Sequence, residues 1–186
     1  MTDQVICAIS EVFDRWVSYQ KHRAIPIVYS ELENRPSPCC CGSADLVLWK
    51  PVLREHPVDI KNVSTALECD FHPDIHAYYG SAFSGEMLFS FKGLTVSLVQ
   101  PWNDDDFERL QQNLIAHVLM LKKLKLPMTL FLATVRDEQK VVSLDNATGQ
   151  VILEHLGKSE RWVLAETLTD FLGRLSPLAF NSSPAY

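Results

Sequence analysis

The sequence predicts one α+β domain in which helices at both ends of the chain flank a mostly antiparallel sheet. An amphipathic helical pattern occupies the beginning of the chain, and a second long one lies in its second half. Between and after them, short apolar segments alternate with turn residues, as in antiparallel sheets. No internal repeat or linker divides the 186 residues, so the predicted domain covers residues 1–178, followed by a disordered tail at 179–186.

The first part of the chain is predicted to contain two helices and one short strand. The first helix, Thr2–His22, ends before Pro26, and the capping-box pattern Ser30–Glu33 predicts a second, short helix. Several prolines surround Leu46–Trp49, which we interpret as one short strand between loops. The buried face of the first helix is expected to carry the apolar residues that recur at helical spacing, namely Val5, Ile9, Val12, Phe13, Trp16 and Val17.

Short helices and a β-hairpin are predicted in the middle of the chain. A helical turn is expected at Asn62–Leu67, and a short helix is expected after His72 because Pro73 suits the first helical position. Met87–Phe91 and Leu94–Val99 are compatible with strands and flank a two-residue connection that contains glycine. This arrangement predicts a hairpin.

The clearest single element is a long helix that begins at Asn103. Asn103 is a favourable N-cap residue, and the carboxylates of Asp104–Asp106 would face the positive end of the helix dipole. Lysines occupy the last turn, where cations are favoured, and Pro127 ends the helix. The buried stripe is predicted to consist of Phe107, Leu110, Leu114, Val118 and Leu121.

Three strands and one more helix complete the predicted fold. Met128–Val135 is an apolar run with the length of a central strand. Val141–Leu144 and Gln150–Leu156 are predicted to pair across a loop that places Gly149 where a positive φ is needed. A last helix at about Glu160–Leu175, capped by the preceding serine, is predicted from apolar residues at helical spacing.

The charge of the chain is acidic and uneven. The chain has 17 Lys and Arg against 23 Asp and Glu, a net charge of −6, which argues against binding to nucleic acid or directly to an anionic bilayer. Residues 55–108 hold ten of the acids and only two of the bases. If these carboxylates share one concave surface, they would attract a basic partner. Alternatively they form a solvated face, and Asp104–Asp106 serve only the start of the helix.

The cysteines indicate a reducing compartment, the cytoplasm, rather than a disulfide framework. Their number is five, and Cys39–Cys41 are consecutive. Adjacent cysteines cannot wrap a tetrahedral zinc ion, so we interpret them as an ordinary reduced segment. The beginning of the chain lacks the apolar core of a signal peptide, and no apolar run is long enough for a membrane-spanning helix.

Three histidines are candidates for chemistry. His72 and His76 are four residues apart and would share a helix face, where a neighbouring carboxylate could complete a metal site. The alternative, which we favour, is that His72 caps the helix and that His76 packs beside Tyr79 or in the wall of a groove. His117 lies in the middle of the long helix and is interpreted as structural rather than as a base. Without a nucleophile elbow, phosphate loop or dinucleotide fingerprint, the sequence predicts neither an enzyme nor a cofactor.

Several stretches of the sequence are specific when they are taken together. They lie between about residue 30 and residue 176, and they are Pro36–Cys39, Trp49–Pro51, His72–Tyr79, Phe83–Met87, Leu98–Phe107, Arg109–His117, Lys123–Thr134, Asp145–Gly149 and Glu154–Gly157. In these stretches the chain resembles the Syd family, the SecY-interacting proteins of gammaproteobacteria. The run Cys39–Cys41 and the residues after Pro177 look peculiar to this sequence.

The resemblance implies a binding protein with a SUKH-like fold, and not an enzyme. The implied partner is SecY, the channel subunit of the preprotein translocase, which a peripheral protein would reach at the cytoplasmic side of the inner membrane. The protein would prefer improperly assembled SecY and would act as a chelator of excess SecY or as a negative regulator of the translocase. The alternative is an immunity protein of the SUKH type, which binds and neutralises a toxin.

The acidity of the chain agrees with this resemblance, because the positive-inside rule makes the cytoplasmic loops of SecY rich in Lys and Arg. We expect a monomer that binds these loops, holds no cofactor or metal, and reaches the membrane only through SecY. The acidic binding surface is expected to consist of Glu68, Asp70, Asp74, Glu86, Asp104, Asp105 and Asp106. Candidate aromatic anchors within it are Tyr78, Tyr79, Phe83 and Trp102. Trp102 and the two tyrosines could equally belong to the core.

Overall fold

The computed structural model describes residues 2–22, 35–41 and 48–179, and in these ranges it contains five helices and nine strands. In chain order they are α1 (Thr2–His22), β1 (Val52–Leu53), α2 (Lys61–Ala66), α3 (Pro73–Gly80), β2 (Ala82–Phe83), β3 (Met87–Phe91), β4 (Leu94–Leu98), α4 (Asp104–Leu124), β5 (Thr129–Val135), β6 (Lys140–Asp145), β7 (Val151–His155), β8 (Arg161–Ala165), α5 (Leu168–Gly173) and β9 (Ser176–Pro177). The predicted α+β class is confirmed.

A curled, seven-stranded antiparallel sheet organises the fold. Its strand order is β8-β7-β6-β5-β4-β3-β9, so β5 lies in the centre, as its apolar sequence predicts. Both predicted hairpins are present, since β3 pairs with β4 and β6 pairs with β7. Their connections use positive φ at Gly93 and Gly149, respectively. The strands β1 and β2 form a separate two-stranded ladder.

The long helix α4 begins and ends as its sequence predicts. Asn103 is extended at the N-cap, and its side-chain oxygen accepts a hydrogen bond of 2.9 Å from the amide of Asp106. Lys125 ends the helix in the left-handed conformation. All residues of the predicted stripe are buried, and the helix packs against β5. Burial of this stripe stabilises the helix more than its intrinsic propensity does.

The first helix, α1, packs against α3 and α5. Its predicted stripe is buried, except that Val17 is only partly buried. Arg15 donates a hydrogen bond of 2.7 Å to the carbonyl of Leu172, and the buried Gln20 donates one of 3.0 Å to the carbonyl of Leu178. The helix therefore holds the last described segment of the chain as well as the core.

The predicted helix at Glu160–Leu175 is wrong over its first half. This part of the chain forms β8, and the helix is limited to α5. The N-cap of α5 is Thr167, whose side chain accepts a hydrogen bond from a helix amide. Trp162 and Val163 are an aromatic and a β-branched residue, which favour a strand, and they pair with β7.

Three further predictions fall wholly or partly outside the described residues. They concern the short helix from Ser30, the strand at Leu46–Trp49 and the tail from residue 180. Of the predicted strand, Trp49 forms an isolated bridge to Cys40. Within the described ranges, no helix combines the length and the apolar character needed to cross a membrane.

Candidate partner-binding groove

A groove runs along the first half of α4, between this helix and the segment that follows β4. It consists of two adjoining depressions of about 290 and 280 Å³, which share Gln100, Asp106 and Arg109 in their walls. The larger depression is also lined by Arg35 and Glu86. We call this feature the α4 groove, and it contains two of the carboxylates predicted to bind a partner.

The start of α4 is fixed by hydrogen bonds that also shape the groove. Asp106 accepts a hydrogen bond of 2.9 Å from the amide of Trp102, while its own amide donates to Asn103. The indole of Trp102 donates to the carbonyl of Arg35 at 2.7 Å, and Asn103 donates to the carbonyl of Pro36 at 2.8 Å. The helix start and the segment 35–41 therefore form one hydrogen-bonded wall.

Two of the three aspartates at the start of α4 are held in ion pairs. Asp104 Oδ1 lies 2.8 Å from Arg54 Nη1, and Asp106 Oδ1 lies 2.7 Å from Arg109 Nη2. The carboxylate of Asp106 also accepts a hydrogen bond from the amide of Trp102, the residue before the N-cap. Asp106 thus has contacts at the helix start, and the negative charge of both residues is partly offset.

Two exposed carboxylates, one in the wall of the α4 groove and one next in sequence to the groove residue Asp106, form no ion pair with any described residue. Asp105 projects from the first turn of α4, and Glu86 lines the groove and accepts a hydrogen bond of 3.3 Å from the hydroxyl of Ser97. A cationic side chain of a partner could therefore approach these two carboxylates without first displacing an internal cation.

The remaining predicted carboxylates lie away from the groove. Lys122, in the last turn of α4, donates a hydrogen bond of 2.7 Å to the carbonyl of Leu67, which places the adjacent Glu68 at that end of the helix. Asp70 follows two residues later and is also exposed. At 1.5 Å per residue, α4 spans about 25 Å between Asp105 and Lys122. The structure therefore divides the predicted acidic surface into two groups.

Asp74 is buried at the start of α3 and does not form part of an exposed surface. Its amide donates a hydrogen bond of 3.3 Å to His72 Nδ1, and its Oδ2 lies 3.9 Å from the same nitrogen. His72 is the N-cap of α3, as predicted, and its own amide donates to the side chain of Asn146 at 2.8 Å. The role expected for Asp74 in partner binding is corrected to one in the helix start.

The two tyrosines proposed as anchors belong to the core. Tyr78 and Tyr79 are fully buried, and their hydroxyls donate to the carbonyls of Leu132 and Phe131 in β5. Burial raises the pKa of both phenols well above its ordinary value, so they remain protonated donors. In this fold neither ring can contact a partner, because α3 packs these side chains against the central strand.

The other two aromatic candidates, Phe83 and Trp102, are also buried. The guanidinium of Arg54 covers the ring of Phe83 at 3.7 Å, and Trp102 packs edge-to-face on Trp49 at 6.0 Å. Trp102 still forms part of the groove wall. The anchor expectation is therefore replaced by a core role for all four aromatic residues, an alternative that the sequence left open for Trp102 and the two tyrosines but not for Phe83.

Two groove residues were missed by sequence reasoning, and both are arginines. Arg109 follows Asp106 by three residues, a spacing that predicts an ion pair on a helix and could have been recognised. Arg35 gave no such signal, because it is distant from α4 in the sequence. Their presence makes the groove mixed in charge rather than purely acidic.

The histidines have structural partners. His76 Nδ1 accepts a hydrogen bond of 3.3 Å from the amide of Ile60, and burial lowers the pKa of His76. His117 Nε2 lies 3.2 Å from the hydroxyl of Thr129, which confirms its structural interpretation. Within the described part of the chain, no group of three or more His, Cys, Asp or Glu is placed to hold a metal ion.

Comparison with known proteins assigns this architecture to a family. The family model described as Syd protein (SUKH-2) matches residues 6–177. The chain belongs to the Syd family. "Protein Syd" of Tolumonas auensis is 62% identical over 179 residues, which are 96% of this chain and 93% of the relative. "Protein Syd" of Aliivibrio salmonicida is 42% identical over 160 residues, which are 86% of this chain and 87% of the relative.

The match to the Syd family extends further than the motifs in the sequence. It includes most of α1, whose generic helical pattern carried no family signal of its own. A third relative, "Protein Syd" of Pectobacterium carotovorum, is 40% identical over 181 residues, 96% of this chain and all of the relative. None of these three relatives bears the name of an enzyme.

Proposed function

We propose that this Syd-family chain binds the SecY subunit of the preprotein translocase at the cytoplasmic face of the inner membrane, and that it prefers improperly assembled SecY. In this role it sequesters excess SecY or restrains the translocase. Membership of the family supports the choice of partner. The observation that carries the proposed contact is the α4 groove, which is lined by Glu86 and by Asp106, the neighbour of Asp105 in the sequence. Glu86 and Asp105 are exposed and form no ion pair with a described residue.

Charge complementarity gives the proposed contact its physical basis. The cytoplasmic loops of a membrane protein are rich in Lys and Arg, so they complement carboxylates at the groove. At physiological salt the attraction is screened beyond about 8 Å, so the charges govern encounter and partner choice while close contacts supply the affinity. Arg35 and Arg109 in the groove walls favour a loop segment that presents polar groups or carbonyls next to its basic residues.

A pair of matched double variants tests the position of the contact. Glu86→Lys with Asp105→Lys reverses two charges at the groove, and Glu68→Lys with Asp70→Lys reverses two charges at the far end of α4. Both variants have the same net charge, so only the location of the reversal differs. Binding to purified SecY should weaken about tenfold or more for the groove variant and change little for the control.

The outcomes distinguish three interpretations. Equal losses in both variants would mean that SecY responds only to net charge, and unchanged binding in both would contradict a contact at the groove. Wild-type binding should also weaken as the salt concentration rises from about 0.05 to about 0.5 M. Asp104 and Asp106 are left intact because their reversal would break other contacts. Asp104 pairs with Arg54, and the Asp106 carboxylate pairs with Arg109 and accepts a hydrogen bond from the amide of Trp102.

A further inference from the structure

The larger depression of the α4 groove carries an unpaired charge of each sign among the described residues. Its charged lining residues are Arg35, Glu86, Asp106 and Arg109. Asp106 and Arg109 lie 2.7 Å apart and offset each other's charge. Glu86 and Arg35 are both exposed, and neither forms an ion pair with a described residue. At physiological pH a carboxylate and a guanidinium are both ionised, so the depression presents a free negative charge and a free positive charge.

The main chain of Arg35 is fixed to the start of α4. The indole of Trp102 donates a hydrogen bond of 2.7 Å to the carbonyl of Arg35, and the side chain of Asn103 donates one of 2.8 Å to the carbonyl of the next residue, Pro36. Both contacts use carbonyl groups of this segment and do not involve the guanidinium. The segment therefore holds Arg35 at the groove while its charged side chain remains available to a partner.

Two tryptophans connect the segment of Arg35 with the segment of Glu86. A Cβ at Gly85, the residue before Glu86, would lie 2.9 Å from the ring of Trp49, so only glycine lets the chain pass this close to the indole. Trp49 in turn packs edge-to-face on Trp102, with ring centres 6.0 Å apart. Trp102 thus contacts Arg35 through its indole N–H and reaches the chain beside Glu86 through Trp49. The two opposite charges therefore lie on one packed unit rather than on independent loops.

We propose that Arg35 determines the specificity of the α4 groove, which binds a SecY loop segment of mixed charge: a basic residue pairs with Glu86, and a nearby acidic residue pairs with Arg35. This inference rests on the proposed function and names the kind of loop that is bound. Alternate side chains of an extended segment lie about 7 Å apart on the same side, so two of them can enter one depression of about 290 Å³. The planar guanidinium suits a carboxylate because it can donate two parallel hydrogen bonds to it.

Repulsion by Arg35 gives the groove a way to reject wrong partners. The cytoplasmic loops of membrane proteins are in general rich in Lys and Arg, so a purely acidic groove would attract many of them. Arg35 places a positive charge in the same depression as Glu86, so a segment with only basic residues would bring like charges together on binding. Such repulsion against competitors is an effective source of specificity. A free cation in an acidic region thus serves selection, although it reduces the general attraction for basic chains.

Charge reversal at Arg35 tests the proposal, with Lys123→Glu as the matched control. Both substitutions change the net charge by the same amount, but the exposed Lys123 lies about 21 Å along α4 from the groove residue Arg109. Arg35→Glu should weaken binding to purified SecY about tenfold or more and tighten binding to the basic peptide octalysine about threefold or more. Lys123→Glu should change both affinities less than about twofold, because salt screens charges at this distance. Thermophoresis measures both affinities, and circular dichroism verifies that each variant is folded.

The two ligands separate the possible outcomes. If Arg35→Glu binds SecY as tightly as the wild type or more tightly, only the negative charge of the groove matters and the inference is overturned. It is equally overturned if Arg35→Glu loses SecY and octalysine to the same extent, which would indicate general damage to the groove. The double variant Arg35→Glu with Glu86→Lys keeps the net charge and should bind SecY less tightly than either single variant; wild-type affinity would contradict paired recognition. A wild-type chain that does not bind SecY would instead overturn the proposed function itself.

Discussion

Arg54 joins the segment after β1 to the start of α4 through Asp104. Arg54 Nη1 donates to Asp104 Oδ1 at 2.8 Å, while the guanidinium carbon lies 3.7 Å from the ring centre of Phe83 and 4.8 Å from that of Phe107. The two partners differ in solvent exposure, since the side chain of Arg54 is 9% exposed and that of Asp104 is 80% exposed. A buried cation packed on two aromatic rings therefore positions an exposed carboxylate in the first turn of α4.

This difference in exposure predicts that removing Arg54 and removing Asp104 lower the free energy of unfolding by different amounts. Arg54→Ala should lower the free energy of unfolding by about 2–3 kcal/mol, because it removes the packing on both rings together with the charge. Asp104→Ala should cost about 1 kcal/mol or less, because solvent screens an exposed carboxylate. Urea denaturation measures both. A larger loss for Asp104→Ala than for Arg54→Ala would contradict the interpretation.

Gly149 is required both for its backbone conformation and for the space it leaves to His72. Its φ is +75°, and a Cβ at this position would lie 2.6 Å from His72 Nε2. Gly149→Ala should therefore displace the N-cap of α3 and lower the free energy of unfolding by about 2–3 kcal/mol. Gly93→Ala is the matched control, because Gly93 has a φ of +84° but open space around it, and should cost only about 1 kcal/mol. Equal losses of unfolding free energy in the two variants would show that the contact between position 149 and His72 does not affect stability.

Local chemistry in the sequence made most of the fold predictable. The cap at Asn103 and the glycine at position 149 each determine their surroundings within a few residues, and both were recognised correctly. The strand β8 was missed because its apolar residues also match a helical spacing when they are read together with those of α5. Pairing with β7 decides between the two, and such a long-range contact is not encoded locally.

The candidate site was less predictable, because its residues are brought together by tertiary structure. Glu68 and Glu86 are close in the sequence, yet contacts with opposite ends of α4 separate them. Asp74 resembles an exposed carboxylate in the sequence, but the cap at His72 buries it. The composition thus identified an acidic region of the sequence. Only the structure shows which of its carboxylates are exposed, which form ion pairs and which are buried.

Within the run of three cysteines, the first differs from its neighbours. Cys39 is fully buried, and burial raises the pKa of its thiol to about 11, whereas Cys40 and Cys41 are exposed. At about pH 8 only about 0.1% of Cys39 is thiolate, so iodoacetamide should modify Cys40 and Cys41 long before Cys39. Peptide mass spectrometry measures the three rates. Unfolding in urea should make them similar, and equal rates in the folded protein would contradict the burial of Cys39.

His117 couples α4 to the central strand through a chain of hydrogen bonds. Its Nε2 lies 3.2 Å from Thr129 Oγ1, which in turn donates to Glu154 Oε1 at 2.6 Å, and its ring meets the ring of Phe131 edge-on. Burial lowers the pKa of His117, although the nearby Glu154 carboxylate opposes this and the Arg161 guanidinium adds to it. The folded protein therefore holds this imidazole in its neutral form at neutral pH.

The lowered pKa of His117 makes stability depend on pH in a defined direction. As the pH falls, the unfolded chain binds a proton at His117 near the ordinary pKa of 6.5, before the folded protein does. The free energy of unfolding should therefore decrease from about pH 7 downward and level off below the folded pKa. In His117→Gln this contribution is absent, so the difference between variant and wild type should shrink between about pH 7.5 and about pH 5 in urea titrations. His76→Gln should change the pH dependence of the unfolding free energy less than His117→Gln does. The reason is that His76 is less buried and the carboxylate of Asp59 opposes the lowering of its pKa. Parallel profiles for wild type and His117→Gln would mean that His117 binds its proton equally well in both states.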